Sequence, residues 1–147
     1  MAWEVRASAE ELALLMEAGF IYRYSKRFGE ARAVFKGVRA LRPQSEVPEI
    51  ALGTVSFEEG DFAAAIRHYK RAIGMNPRSA YAYAQLGEAQ LFQRDAENAR
   101  SSLSRALELD PTGEFGNLTR TLLAFLEKLE FTDDQRDLSI KENVGSR

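Results

Sequence analysis

The sequence has no cysteine, a single histidine and no apolar run long enough to cross a bilayer. Without cysteine there is no disulfide framework, zinc–thiolate site or thiol nucleophile. A membrane-spanning helix needs about 20 consecutive apolar residues. We therefore expect no metal, no other cofactor and no membrane insertion. The lack of cysteine also favours a cytoplasmic location.

A large excess of charge of either sign is also missing, because 20 Lys and Arg residues stand against 22 Asp and Glu residues. The net charge of −2 argues against nucleic acid as a partner. The first residues, MAWEVR, do not follow the basic-then-apolar order of a signal peptide, so we expect no secretory leader. The length of 147 residues and the 45% apolar content are typical of one folded domain.

A period of 34 residues runs through the chain, and it is clearest at proline and glycine. Each proline stops a helix, and each glycine removes a side chain where two helices approach closely. The period therefore predicts three helix–turn–helix units. The repeated columns are Gly19, Gly53 and Gly87; Ala31, Ala65 and Ala99; Phe35, Tyr69 and Leu103; Val38, Ala72 and Ala106; Leu41, Met75 and Leu109; and Pro43, Pro77 and Pro111.

Apolar residues at helical spacing, with turn signals between them, predict an all-α fold. Ser8 and Glu11 have the spacing of a capping box before the first helix, and Pro48 falls in the first turn of the third. We expect a single domain over residues 1–131 and a polar, flexible tail over residues 132–147. The predicted helices are 9–24, 28–41, 46–58, 62–74, 80–92 and 96–109, with a capping helix at 114–131.

The stretch GDFAAAIRHYKRAIGMNP at residues 60–77 resembles the second helix of the tetratricopeptide repeat, a 34-residue helix–turn–helix unit. The resemblance covers residues 12–111. It implies a right-handed solenoid of three repeats, at about 12–45, 46–79 and 80–113, whose concave face is lined by the first helix of each repeat. The third repeat departs from the pattern at Ala96 and Leu103, where aromatic residues are usual.

No convergent set of catalytic groups is apparent in the sequence. His68 lies beside the apolar stripe of its helix, between Arg67 and Tyr69, so we expect a solvated ring. A phosphate-binding loop and a GxGxxG motif are absent as well. We therefore predict that the protein is not an enzyme and has no catalytic residues.

The resemblance implies a concave groove that binds a protein or peptide client. Large apolar residues on this face exceed what the stack needs, and such a patch suits a segment with apolar anchors. Arg23 and Glu88 are candidates for fixing the direction of that segment. The candidate groove residues are Met16, Phe20, Arg23, Tyr24, Val47, Ile50, Phe57, Tyr81, Glu88 and Leu91.

One subgroup of the family binds the C-terminal carboxylate of heat-shock chaperones through a clamp of Lys, Asn and Arg. That specialisation is not expected here, because the matching positions hold Met16, Phe20, Ala51, Tyr81 and Gln85. A narrower resemblance is to the small chaperones of bacterial type III secretion translocators, whose groove holds an extended, apolar-anchored segment of the client. It rests on FGEARAVF at residues 28–35 and on Glu114, Phe115, Leu118, Arg120 and Leu126.

Two alternatives stay open for the groove. The chain could fill it with its own residues 1–5 or with the region near Leu138 and Ile140. A second copy could fill it instead, so that the protein would be an assembly subunit that forms a homodimer or larger homo-oligomer.

The basic residues are concentrated in the middle of the chain, where residues 23–78 carry eleven basic against six acidic side chains. Most of them lie on predicted second helices, so we expect a solvated outer face. The alternatives are an acidic protein partner, head-to-tail self-association between oppositely charged halves of the chain and, more weakly, RNA, since no aromatic residues interleave with the basic ones. The basic residues in question are Arg32, Lys36, Arg39, Arg42, Arg67, Lys70 and Arg71.

Overall fold

The computed structural model describes the backbone of residues 5–144 and the side chains of residues 5–129. Within that part of the chain there are seven α-helices and no strand. The all-α solenoid is confirmed, and the first six helices begin and end within one residue of the predicted bounds. The helices are α1 (Ala9–Tyr24), α2 (Phe28–Leu41), α3 (Val47–Glu58), α4 (Phe62–Met75), α5 (Ala80–Phe92), α6 (Ala96–Leu109) and α7 (Glu114–Val144).

Short polar side chains begin most of the helices. The capping box predicted before α1 is present: the backbone N–H of Glu11 donates to Ser8 Oγ at 3.1 Å, and the backbone N–H of Ser8 donates to Glu11 Oε2 at 2.7 Å. Asp61, Ser79 and Asp95 accept from the first turns of α4, α5 and α6. These caps satisfy backbone donors that the helix itself leaves unpaired.

The glycine column explains how the two helices of each repeat pack together. A Cβ on Gly53 would lie 2.5 Å from Cε1 of Tyr69, and one on Gly87 would lie 2.6 Å from Cγ of Leu103. The Phe35 ring faces Gly19 in the same way. Because no real Cβ tolerates such distances, glycine lets the large residue of the second helix enter the core.

The curvature of the stack places the first helices on its inner side. Each helix contacts the next one along the chain, and α3 also contacts α5, while α5 contacts α7. No comparable contact joins α2 to α4 or α4 to α6 within the described residues. Since α3, α5 and α7 approach one another more closely than α2, α4 and α6 do, they line the inner, concave face. The contact between Arg23 and Glu58 places α1 beside α3 in the same row.

The seventh helix is longer than predicted, because it continues past residue 131 to Val144. The predicted end of the capping helix at residue 131 is therefore corrected to Val144. The reason is in the sequence: no proline or glycine occurs between Asn117 and Val144, so nothing stops the helix before Gly145. The flexibility of the tail stays a prediction. Residues 1–4 and the side chains of Leu138 and Ile140, which could occlude the groove, lie outside the described residues.

Candidate functional site

The predicted groove residues differ widely in exposure. Tyr24 and Val47 are exposed, whereas Ile50 keeps only 4% of its surface accessible. Ile50 is therefore a core residue, because the packing of α3 against α5 encloses it beside Ala82 and Leu86. The others are half-buried, and their role in binding stays a prediction; they are Met16, Phe20, Arg23, Phe57, Tyr81, Glu88 and Leu91.

At the N-terminal end of the concave face, the candidate groove residues already contact other side chains of the same chain. The Phe20 ring packs edge-on against Phe35, with 5.3 Å between their centroids. Arg23 lies over the Tyr24 ring at 4.5 Å, and its Nε is 3.7 Å from Glu58 Oε1. The guanidinium of Arg23 is thus already engaged by an aromatic face and a carboxylate.

In the middle of the concave face, hydroxyl and amide groups contact one another over the core. The Tyr69 hydroxyl lies 3.4 Å from both Thr54 Oγ1 and Gln85 Oε1. The Tyr81 ring stacks on Phe115 of α7, with centroids 4.4 Å apart. Burial raises the pKa of both tyrosines above the ordinary value.

Aromatic residues gather where α3, α4 and α5 meet. Phe57, Phe62 and Phe92 contact one another pairwise, with ring centroids 5.0 to 5.2 Å apart. Phe92 nevertheless leaves 58% of its surface accessible. Phe92 therefore leaves one wall of this cluster open to solvent.

Next to Phe92 is a cavity of about 320 Å³ between α5 and α7, which we call the C-terminal pocket. Phe125 on its far wall is 49% exposed. Glu88 is the one charged side chain among its lining residues. The pocket is lined by Glu88, Leu91, Phe92, Leu122, Phe125 and Leu129.

Sequence reasoning found Glu88 and Leu91 but missed the other four lining residues. The signal that would have found two of them is the 34-residue period itself, continued past Pro111. Leu122 occupies the column of Glu88, and Phe125 occupies that of Leu91. The capping helix thus repeats the inward-facing positions of a first helix.

Glu88 is electrostatically unlike the other carboxylates near the helix interfaces. It is half-buried, and no hydrogen-bond or ion-pair partner for it exists among the residues whose side chains are described. Burial raises its pKa above the ordinary glutamate value. The C-terminal pocket therefore combines apolar walls with an unpaired acidic group.

Residues 56–122 match the family model of the tetratricopeptide repeat. The chain folds as a tetratricopeptide-repeat solenoid. The predicted tetratricopeptide-repeat fold is thereby confirmed, and a type III secretion chaperone is among the proteins of similar structure. No curated protein matches the sequence.

Three solved structures illustrate the likeness of the solenoid. The secretion chaperone SycD of Yersinia enterocolitica, in complex with a peptide of the translocator YopD, is 23% identical with a TM-score of 0.74, over 86% of this chain and 97% of that one. The first repeat domain of Spaghetti (RPAP3), bound to the HSP90 peptide SRMEEVD, is 21% identical with a TM-score of 0.73, over 85% and 97%. The Sgt2 domain from Aspergillus fumigatus is 15% identical with a TM-score of 0.78, over 88% and 85%. At these identities the likeness shows the fold alone.

On the outer side of the solenoid, His68 differs from its prediction. Its Nδ1 lies 2.8 Å from Oε2 of Glu49, a carboxylate whose side chain is only 3% exposed. The prediction of a solvated ring is wrong, because Glu49 on α3 points outward between the second helices and draws in donors from both. We call Glu49, Arg39, His68 and Arg71 the outer cluster.

Several basic side chains of the outer face form ion pairs with glutamates. Arg39 donates to Glu49 Oε1 at 3.0 Å, and Arg71 Nη1 lies 3.5 Å from the same oxygen. Arg32 pairs with Glu59 of the next repeat. The expectation of a wholly solvated basic face is therefore wrong for Arg32 and Arg39, which bridge the first and second repeats. Arg71 contacts Glu49 within its own repeat, and its side chain stays 58% exposed.

Nothing in the described residues indicates a metal site or a membrane span. No cluster of three or more His, Asp or Glu side chains with metal-binding geometry occurs among them. None of the helices in that same part of the chain combines the length and apolarity that crossing a membrane requires.

Proposed function

We propose that this chain is a non-catalytic binding module of the cytoplasm that holds an extended, apolar-anchored segment of a client protein on its concave face. The C-terminal pocket is the observation that carries the proposal. Phe92 and Phe125 remain about half exposed although each is a large aromatic residue. Exposed aromatic residues around a cavity are typical of partner sites.

The chaperone form of this function is the one we favour. The positions that would clamp a terminal carboxylate hold apolar and neutral residues, and Arg23 is engaged by Glu58. An apolar groove suits an internal segment of a client better than a charged chain end. SycD, the chaperone of similar fold, is named in complex with a peptide of its translocator.

A selection from random peptides tests the proposal and does not require the client to be identified first. Random linear peptides displayed on phage are selected on the immobilised full chain, and the selected peptides are measured by fluorescence anisotropy. The test variant is Phe92→Ser/Phe125→Ser. The matched control is Leu14→Ser, because Leu14 is 65% exposed on α1 and does not line the C-terminal pocket.

We expect the selected peptides to carry spaced apolar residues and to bind the double variant at least about tenfold more weakly, since two aromatic contacts are lost. Leu14→Ser should bind as the wild type does. Equal binding by wild type and double variant would contradict the proposal. Carbon chemical shifts of the bound peptide distinguish the chaperone form, which requires an extended segment, from an adaptor that binds a helix.

Self-assembly is the competing function, and the same variants address it. A homo-oligomer that uses this face would have at least twice the 16.5 kDa chain mass in light scattering. Phe92→Ser/Phe125→Ser would then return the protein to a monomer. That result, without peptide binding, would replace the client-binding proposal.

A further inference from the structure

Among the described side chains, the carboxylates of α3 and of the residue that follows it have basic partners, whereas Glu88, the carboxylate of α5, does not. Glu49 contacts three cationic or imidazole groups, Glu58 contacts Arg23, and Glu59 contacts Arg32. Glu88 has no such partner among the described side chains. A half-buried carboxylate without a counter-charge is unfavourable in the free protein. A ligand that supplied the positive charge would bind more tightly, because it would form an ion pair with this carboxylate.

Arg23, a described cation on the same face, does not supply that charge. Arg23 lies on the same concave face, but its guanidinium is held over Tyr24 and beside Glu58. No ion pair joins Arg23 to Glu88 in the described structure. None of the side chains that the structure describes therefore supplies the counter-charge for Glu88.

The walls of the C-terminal pocket specify the rest of the ligand. Leu91, Leu122 and Leu129 are aliphatic, and Phe92 and Phe125 expose their rings at the pocket mouth. Aromatic faces attract cations, and the methylene stem of a lysine or arginine packs well on apolar surface. The pocket thus matches a side chain with an apolar stem and a positive head.

Resting on the proposed function, we infer that the C-terminal pocket binds a lysine or arginine side chain of the client segment. Its stem lies against Phe92 and Phe125, and its charged head pairs with the Glu88 carboxylate. The other anchors of the segment are apolar. A client of this module therefore carries a basic residue at a fixed position within an otherwise apolar stretch.

The test uses the selected peptides themselves as probes. Each basic residue of the tightest peptide is replaced by norleucine if it is lysine or by citrulline if it is arginine, which removes the charge and keeps the stem. The protein variants are Glu88→Gln and, as the matched control, Glu127→Gln, which removes an exposed carboxylate of α7 outside the pocket. Affinities are measured by anisotropy at two salt concentrations.

We expect basic residues to be enriched at one position of the selected peptides. Glu88→Gln should weaken the basic peptide about tenfold, as expected for one partly buried ion pair, and leave its uncharged analogue unchanged. Glu127→Gln should change neither. The salt dependence of binding should be smaller for Glu88→Gln than for the wild type.

Each other outcome has a definite meaning. Peptides that need Phe92 and Phe125 but bind Glu88→Gln as tightly as wild type would overturn this inference and leave the proposed function standing. If no peptide bound at all, the proposed function would fall and this inference with it. A dimer of the free chain that Glu88→Gln weakens would make a second copy the occupant, which also overturns the inference.

Discussion

Two carboxylates of this chain, Glu49 and Glu88, show how differently the outer and inner sides of the solenoid treat a partly or fully buried charge. Glu49 on α3 is surrounded by Arg39 from the preceding repeat and by His68 and Arg71 from α4. Glu88 on α5 faces apolar walls and has no partner among the described side chains. The first arrangement joins two repeats, whereas the second leaves a charge to be met by a ligand.

The pKa values of the two groups move in opposite directions. Burial alone would raise the pKa of Glu49, but hydrogen bonds from His68 and Arg39 and the charge of Arg71 lower it overall. Nothing opposes burial at Glu88, so its pKa is raised. The ionised Glu49 side chain therefore stabilises the folded protein, whereas the ionised Glu88 side chain destabilises it.

The largest expected effect is the loss of the outer carboxylate. Glu49→Gln should destabilise the protein by about 2–3 kcal/mol at pH 7, because Arg39 and His68 lose a charged partner at a nearly closed site. Urea unfolding followed by circular dichroism measures it. Since the folded-state pKa of Glu49 is lowered, its contribution is present above the ordinary value of about 4.3 and is lost as the pH falls through the folded pKa.

The matched control for this prediction is Glu59→Gln. Glu59 also pairs with an arginine of the preceding repeat, but the pair is accessible to solvent. Its loss should cost less than about 1 kcal/mol. Equal effects of the two substitutions would show that the outer cluster does not join the repeats in the way described.

A smaller effect is expected at the histidine that the sequence alone suggested would be inert. His68→Ala should cost about 1 kcal/mol, because one hydrogen bond to Glu49 is lost while Arg39 remains. Combined with Glu49→Gln, it should cost little more than Glu49→Gln alone. Thermal unfolding of the two single variants and the double variant measures this coupling, and additive effects would contradict it.

Removing the charge of Glu88 should change the free energy of unfolding in the opposite direction to removing that of Glu49. Glu88→Gln should raise stability at pH 7 by up to about 1 kcal/mol, because an unpaired half-buried charge is removed. The raised folded-state pKa means that the wild type gains stability on protonation, so the two proteins should converge below about pH 4. Urea unfolding of both proteins at pH 4 and pH 7 measures this difference. A variant less stable than the wild type at pH 7 would contradict the prediction.

Sequence reasoning succeeded where a local pattern has a local cause. The columns of glycine, alanine and proline determine where helices approach and end, and the helix bounds follow from them within one residue. The polar composition of residues 132–147 predicts a tail, but α7 continues to Val144 because no proline or glycine occurs from Asn117 to Val144.

The candidate site was predicted less completely, because exposure depends on which neighbour covers a helix face. Ile50 and Phe57 lie two turns apart on one face of α3, yet α5 buries the first and leaves the second half-exposed. No sequence pattern around His68 predicts its contact with Glu49, because Glu49 lies on another helix. Pairing between helices cannot be read from the spacing within one.

The smallest expected effect concerns the most accessible member of the outer cluster. Arg71 contacts Glu49 at 3.5 Å, but its side chain is 58% exposed, so water competes for it. Arg71→Gln should cost less than about 0.5 kcal/mol, and the cost should shrink further in 1 M salt. Arg39→Gln, at 3.0 Å and a less exposed position, should cost more under both conditions. If urea unfolding showed a larger loss of stability for Arg71→Gln than for Arg39→Gln, long-range charge on the outer face would stabilise the Glu49 carboxylate. The contrast with Glu88 would then reflect surface potential instead of direct contacts.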